Sequence, residues 1–128
     1  MRPVNGSPRT GSKTVNGASY PNSVYRAFGG CTESVTYGYD IARNWNRFQA
    51  TMGIADNSRS DAVVKYEFYG DGAKLGSTVT SRLGTSTPVD LAVAGVLRLE
   101  LRASFVEGSR GMCSDSGTWV WGNARVTR

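Results

Sequence analysis

The sequence contains no histidine, and this absence excludes more chemistry than any other feature of its composition. Histidine is the commonest general base, the middle member of the Ser-His-Asp triad and a frequent ligand of catalytic zinc. Nucleophilic cysteine loses its usual base for the same reason. No Gly-rich phosphate-binding motif of the P-loop or dinucleotide type is present either. A catalytic role would therefore have to depend on carboxylates alone.

Carboxylate pairs of the kind that glycosidases use also find little support among the ten acidic residues. The alternating pattern described below places Glu67, Asp90 and Glu100 on solvent-facing strand positions, and Asp71 falls in a predicted turn. These are structural positions, and a small domain offers no deep cleft that would exclude water. We therefore predict no catalytic residues and a protein that works by binding.

Long apolar runs are missing as well. No stretch approaches the roughly 18 apolar residues of a membrane-spanning helix, so no membrane insertion is predicted. No charged start followed by an apolar run marks a signal peptide. If the natural protein is exported, we expect this chain to be a piece of something longer. Residues 1–13 are rich in Pro, Gly and Ser and lack periodicity, which predicts a flexible tail or linker before a single domain at 14–128.

Positive charge is in mild excess, with 15 Lys and Arg against 10 Asp and Glu and a net charge of +5. Such a balance mildly favours anionic partners. The basic residues are spread along the chain, however, and no nucleic-acid-binding motif accompanies them. We interpret them as a soluble basic surface and expect no nucleic-acid partner.

Cysteine is scarce, and the two present are Cys31 and Cys113. In a sandwich the first and last strands often lie side by side, which would allow a disulfide enclosing most of the domain. Chain entropy would make such a long bridge worth about 4–5 kcal/mol, and the bond would imply an oxidising compartment. The alternative is two unrelated buried thiols in a cytosolic protein. Two cysteines without histidine do not supply the ligands of an ordinary zinc site.

Alternation of apolar and polar residues is the dominant pattern. The clearest case sets Leu97, Leu99 and Leu101 against intervening charged residues, whereas a helix would mix the two sets on one side. The same period of two predicts a strand with one wet and one buried face at Val35–Ile41, Phe48–Ile54, Val64–Phe68 and Val89–Val93.

Turn signals separate these strands. Gly70-Asp71-Gly72 is typical of a tight hairpin turn, because Asp-Gly tolerates the positive φ angles that such a turn requires. About eight short strands with regular turns, and no amphipathic helix, can bury their apolar faces only sheet against sheet. The sequence therefore predicts an all-β fold, an antiparallel β-sandwich.

A short loop between two predicted strands holds the best binding candidates, Arg43, Asn44 and Trp45. Sugars are bound by flat aromatic rings that stack on their C–H faces, together with Asn, Asp and Arg side chains that hydrogen-bond to hydroxyl groups. Loops on a rigid sandwich are common recognition sites. The alternative is that Trp45 packs over the end of the core and Arg43 is merely solvated.

Trp119 and Trp121 lie two residues apart, so they share one face of an extended strand. Either they form an exposed stacking platform or they belong to the core. Because Trp is usually buried, we expect Trp121 in the core and retain Trp119 as a ligand-binding candidate.

An oxygen-rich loop contains Asp56, Asn57 and Asp61. Such ligands suit calcium, although the spacing is not that of an EF-hand and the intervening Arg59 is electrostatically unfavourable. The alternative is a plain turn. A structural calcium is the one cofactor that the sequence suggests.

Several segments in order resemble the NPCBM family of carbohydrate-binding modules over about residues 14–127. The segments that carry the resemblance are Tyr20-Pro21-Asn22-Ser23, Tyr37, Trp45–Ile54, Lys65–Gly72, Val93–Leu99 and Trp121–Val126. The resemblance implies a galactose-binding-like jelly roll that is non-catalytic and appended to glycosidases or other surface proteins. Two departures concern the site: Ala55 precedes Asp56 where the family often has an acid, and Ser116-Gly117-Thr118 replace acids before the closing Trp.

We therefore expect an extracellular, non-catalytic module of a longer exported protein. Its partner would be a glycan or cell-wall polysaccharide, bound through end loops. The alternative is a protein-interaction or sensory ectodomain on the same sandwich, which would present a contiguous exposed apolar patch.

Overall fold

A computed structural model describes residues 3–5, 9–29, 33–58, 60–107 and 115–128. Within these ranges the secondary structure is all strand and turn, and no helix is long and apolar enough to cross a membrane. The strands are β1 (Pro3–Asn5), β2 (Arg9–Val15), β3 (Ala18–Gly29), β4 (Ser34–Asp40), β5 (Arg47–Ile54), β6 (Val63–Gly70), β7 (Ala73–Arg82), β8 (Ser86–Ala92), β9 (Arg98–Glu107) and β10 (Asp115–Thr127).

The strands form two five-stranded antiparallel sheets. The first sheet has the order β1-β4-β9-β6-β7, and the second has the order β2-β3-β10-β5-β8. Sequence-distant strands are neighbours in both sheets, as when β10 lies between β3 and β5. The prediction of an all-β antiparallel sandwich is confirmed, with two more strands than the eight or so expected.

The two additional strands come from the segment predicted to be a tail. Arg9 to Val15 pair with β3, from Arg9 opposite Tyr25 to Val15 opposite Ala18, so strand structure lies on both sides of the boundary expected at Lys13. The polar sequence shows no alternation because β2 is an edge strand held mainly by backbone hydrogen bonds. Only its last residue, Val15, is fully buried.

The core lies between the sheets and follows the predicted alternation. Buried side chains at every other position come from β5, β6 and β9, namely Phe48, Ala50, Met52, Ile54, Val64, Tyr66, Phe68, Leu99 and Leu101. Leu97 is an exception, because it is 38% exposed. It precedes the first residue of β9 and belongs to the preceding turn, so the strand's alternation does not extend to it.

A second, smaller apolar cluster covers the outer face of the second sheet. Val15, Ala55 and Val120 are buried there, with Tyr20 and Tyr25 packed against them. Val15 lies directly on Gly53, where an added Cβ would clash with its Cγ1 atom. The hairpin formed by β2 and β3 thus closes over part of β5 and β10, and the glycine allows this close approach.

Tyr66 ties the two sheets together. Its ring is fully buried, and its hydroxyl donates to the Gly53 carbonyl (2.6 Å) and accepts from the Val120 N–H (3.1 Å). Gly53 and Val120 face each other in β5 and β10, so a side chain from the first sheet completes the backbone bonding of the second. Burial is the main reason that the pKa of this hydroxyl is raised far above its ordinary value.

We predict that Tyr66→Phe lowers the free energy of unfolding by about 1–3 kcal/mol, because it leaves a buried N–H and a buried C=O without their partner. Urea unfolding followed by tryptophan fluorescence measures the loss. Tyr69→Phe is the matched control, since its half-buried hydroxyl donates to the exposed side of the sheet, to the Glu67 carboxylate at 3.2 Å. Equal stability of the Tyr66→Phe variant and the wild type would show that the two hydrogen bonds of the Tyr66 hydroxyl, here called the tyrosine clamp, do not stabilise the fold.

Candidate functional site

The loop between β4 and β5 carries the three predicted binding residues and has a tightly defined backbone. Asp40 accepts a hydrogen bond from the Ala42 N–H at 2.9 Å. Ala42 and Arg43 both have positive φ angles, 57° and 60°, a conformation that non-glycine residues adopt only where the surrounding structure holds them. The Asp40 carboxylate helps to hold this turn.

Backbone hydrogen bonds fix the same loop to its neighbours. The Ile41 and Arg43 N–H groups donate to the carbonyls of Leu97 (2.9 Å) and Val96 (3.0 Å), and the Asn46 N–H donates to the Thr127 carbonyl (2.9 Å). The loop is therefore attached to the segment before β9 and to the end of β10. Side chains at its tip start from a well-positioned backbone.

Asp71, in the β6–β7 turn, joins a third segment to this end of the sandwich. Its carboxylate accepts from the N–H groups of Leu97 (3.2 Å) and Arg98 (2.8 Å). The Arg98 N–H lowers the carboxyl pKa most, followed by the Leu97 N–H, and the positive charge of Arg43 adds to the effect. We call this region, comprising residues 40–46, 71–72, 93–97 and 128, the Trp45 end.

Trp45 is half-buried, with part of its ring packed against the core. The guanidinium carbon of Arg128 lies 4.6 Å from the ring centroid, a cation–π contact, and its Nε donates to the Asn44 carbonyl at 3.2 Å. Arg43 and Asn44 are exposed beside it. Arg43, Asn44 and Trp45 are therefore consecutive residues of one loop, and each is at least partly accessible to solvent.

Trp119 is not part of this surface, and its assignment as a ligand-binding residue needs correction. Both Trp119 and Trp121 are fully buried. The Trp119 ring packs against Phe28 with centroids 5.1 Å apart, and the Trp121 ring meets Tyr66 edge-on at 5.4 Å. The face of β10 that carries the tryptophans points into the main core, whereas Val120 on the opposite face belongs to the outer cluster. Neither ring has a surface for sugar.

Asp56, the first residue of the loop suggested for calcium, has a structural role. The two carboxylate oxygens of Asp56 accept from the N–H groups of Asn16 (2.8 Å) and Gly17 (2.9 Å), which stabilises the β2–β3 turn. Asn57 and Asp61 are exposed. In the ranges that the structure describes, His, Cys, Asp and Glu form no group of three that could hold a metal ion. Calcium at Asp56, Asn57 and Asp61 stays a prediction.

Sequence reasoning missed a polar network on the outer face of the second sheet. Arg47 Nε donates to Asp90 Oδ1 at 2.8 Å, and Gln49 Nε2 donates to Oδ2 at 3.3 Å. These two bonds, that of Arg47 first, lower the pKa of the Asp90 carboxyl, with a smaller effect from the charge of Arg125. These residues come from three strands that are far apart in the sequence. Only Arg47 and Gln49 could have been placed on one face in advance, because they lie two residues apart in one predicted strand.

The predicted disulfide lies outside the described residues, since neither Cys31 nor Cys113 is among them. The nearest described pair is Gly29 opposite Asp115, where β3 meets β10.

Residues 14–127 match the NPCBM/NEW2 domain, and the chain belongs to this family of carbohydrate-binding modules. The match covers nearly all of the predicted domain and agrees with the resemblance found in the sequence. A comparison with curated proteins finds no match.

Solved carbohydrate-binding modules share the fold. CBM51 from Clostridium perfringens GH95, in complex with methyl-galactose, is 19% identical with a TM-score of 0.71 over 92% of this chain and 80% of that chain. CBM51-2 with GlcNAc and INT domains from C. perfringens ZmpB is 12% identical, with a TM-score of 0.70 over 98% and 30%. The ZmpB M60 catalytic domain with CBM51-1 and CBM51-2 is 14% identical, with a TM-score of 0.73 over 95% and 13%. In the two ZmpB structures this chain corresponds to a minor part of a longer protein.

Proposed function

We propose that this chain is a non-catalytic carbohydrate-binding module that attaches a larger exported protein to a glycan at the Trp45 end. The observation that carries the proposal is the placement of Arg43, Asn44 and Trp45 on one hydrogen-bonded loop at the surface. A ring with a neighbouring amide and guanidinium can stack on a sugar and hydrogen-bond to its hydroxyl groups. Membership of the family and the methyl-galactose and GlcNAc complexes of similar folds support a saccharide ligand.

Arg128 is part of this proposal, because its guanidinium lies over the Trp45 ring. A sugar that stacks on the same ring would replace the guanidinium. The Arg128 side chain is exposed, so it can move aside when a sugar binds. Once displaced, it can donate hydrogen bonds to the bound sugar.

A non-catalytic role is supported by the carboxylates nearest to the candidate residues, because these carboxylates are hydrogen-bonded to backbone N–H groups. Asp40 accepts from the Ala42 N–H, and Asp71 accepts from Leu97 and Arg98. These acids stabilise turns. A glycosidase needs two carboxyl groups that face the scissile bond, and the sequence offers no histidine as an alternative base.

A protein-interaction module, the alternative function, receives less support. It predicts a contiguous apolar patch. The large exposed apolar residues of the described part of the chain are Leu97 and Val106. Leu97 directly precedes β9 and Val106 lies near its end, so the length of that strand separates them.

We expect Trp45→Ala to weaken glycan binding by about tenfold or more, because the stacking surface is lost. Titration of the full chain with methyl-galactose and N-acetylglucosamine, followed by amide chemical shifts of Arg43 and Asn44, measures the loss. Tyr69→Ala is the matched control, since its ring also carries a guanidinium, that of Arg102 at 3.9 Å, but lies on the first sheet. A broad glycan array that yields no ligand for the wild type would refute the proposal.

A Cys31–Cys113 disulfide belongs to the same proposal, because an exported protein is exposed to an oxidising compartment. Gly29 and Asp115 are register partners, and each cysteine lies two residues beyond its partnered neighbour. Two residues span about 7 Å at most, so the pairing limits the distance between the cysteines. We expect intact-mass analysis of alkylated protein to find no free thiol without reductant and two after reduction. Two alkylated thiols in protein made under oxidising conditions would exclude the bond.

A further inference from the structure

Three strands of the second sheet place polar side chains in a row on its outer face. Arg125 of β10 is opposite Gln49 of β5, and Gln49 is opposite Asp90 of β8. Residues directly opposite each other project from the same face. Gln49 lies between the buried Phe48 and Ala50, so this face is the one turned away from the core.

The next row along β5 is made of small side chains, and the register of β10 shifts between the two rows. Gly122, Thr51 and Pro88 face one another across the same three strands. Beside the polar row lies an open, shallow groove of about 330 Å³ that Gln49, Thr51, Pro88, Asp90 and Arg125 help to line. This volume is at the lower end of the range of roughly 300–1,000 Å³ for small-molecule sites.

An aromatic ring covers one end of the small-residue row. An added Cβ at Gly122 would meet the Tyr20 ring at 2.9 Å, so the ring lies directly on this glycine. Tyr20 is half-buried. The Tyr20 ring thus borders the row at Gly122, whereas Pro88 at the opposite edge lines the groove and offers apolar surface to the C–H face of a sugar.

The polar row retains hydrogen-bonding capacity at the surface. Each Asp90 oxygen accepts one bond, whereas a carboxylate oxygen can accept two. The Asp90 side chain is 48% exposed. Arg125 is exposed and donates from Nη1 to the carbonyl of Asn123 at 3.0 Å, which leaves further N–H groups of its guanidinium for a ligand.

We infer that this groove is a second saccharide site, which takes one pyranose unit through Gln49, Asp90 and Arg125. Adjacent sugar hydroxyls would donate to Asp90 and accept from Arg125 and Gln49, while the ring lies over Thr51 and Pro88. The inference rests on the proposed function, but it concerns a different surface.

The outer face of the first sheet provides a contrast. Its polar side chains are paired mainly with one another: Glu67 lies 3.9 Å from Lys65 and 3.7 Å from Lys74, and Arg102 contacts Glu100 at 2.9 Å. Arg102 also covers the ring of Tyr69. The side chains of Glu67 and Glu100 are 21% and 23% exposed, against 48% for Asp90, so the second sheet is the face on which we place the site.

Amide chemical shifts of the full chain test the inference, with methyl-galactose and N-acetylglucosamine as probes. At least one sugar should shift the amides of Gln49, Thr51 and Asp90, and these shifts should persist in the Trp45→Ala variant. Asp90→Ala and Arg125→Ala should each weaken the binding reported by these amides by about tenfold. Glu100→Ala, which breaks an Arg–carboxylate pair of similar length on the first sheet, should leave it unchanged.

The outcomes separate the two sites. Shifts confined to the Trp45 end in the wild type would overturn the inference and leave the proposed function standing. Shifts at the groove alone would support the inference and remove the Trp45 end as the site. Groove shifts that vanish in Trp45→Ala, or that survive undiminished in both Asp90→Ala and Arg125→Ala, would overturn the second site. No shift with either sugar would count against both.

Discussion

The hydroxyl of Tyr66 is the contact on which the arrangement of the sandwich most depends. It comes from the first sheet and bonds to the Gly53 carbonyl and the Val120 N–H of the second. Hydrophobic burial holds the sheets together but is not directional. A hydroxyl that must reach two backbone atoms fixes where one sheet lies against the other. Its bonds reach β5 and β10, the strands that bring Arg47, Gln49 and Arg125 to the surface.

Three acidic residues serve a structural purpose in the turns of this fold. Asp40, Asp56 and Asp71 each accept backbone N–H bonds in turns, so carboxylates that might suggest chemistry in a sequence act as turn anchors. The result is a set of well-positioned loops on a rigid core. Such loops support the proposed recognition of a ligand, since recognition depends on positioned side chains.

Alternation was enough to predict the sandwich and most of its core, because a buried face every second residue is a local property of each strand. Leu97 departs from the alternation because it lies in the turn before β9, where its N–H bonds to Asp71. The position at which a strand begins depends on such turn contacts and not on the pattern of the strand. The face of Trp119 could not be predicted, since β10 is apolar on both sides: the tryptophans face the core, and Val120 lies under the β2–β3 hairpin. The groove was also beyond prediction, because it depends on the register between β10, β5 and β8.

Hydrogen exchange at the Val120 amide tests the central claim most directly, because this N–H donates to the Tyr66 hydroxyl in the middle of the second sheet. The account predicts that this amide exchanges only through global unfolding, with a protection free energy equal to the free energy of unfolding measured with urea. Exchange at the rate of edge-strand amides such as those of β8 would contradict it. The two sheets would then be held without the tyrosine clamp.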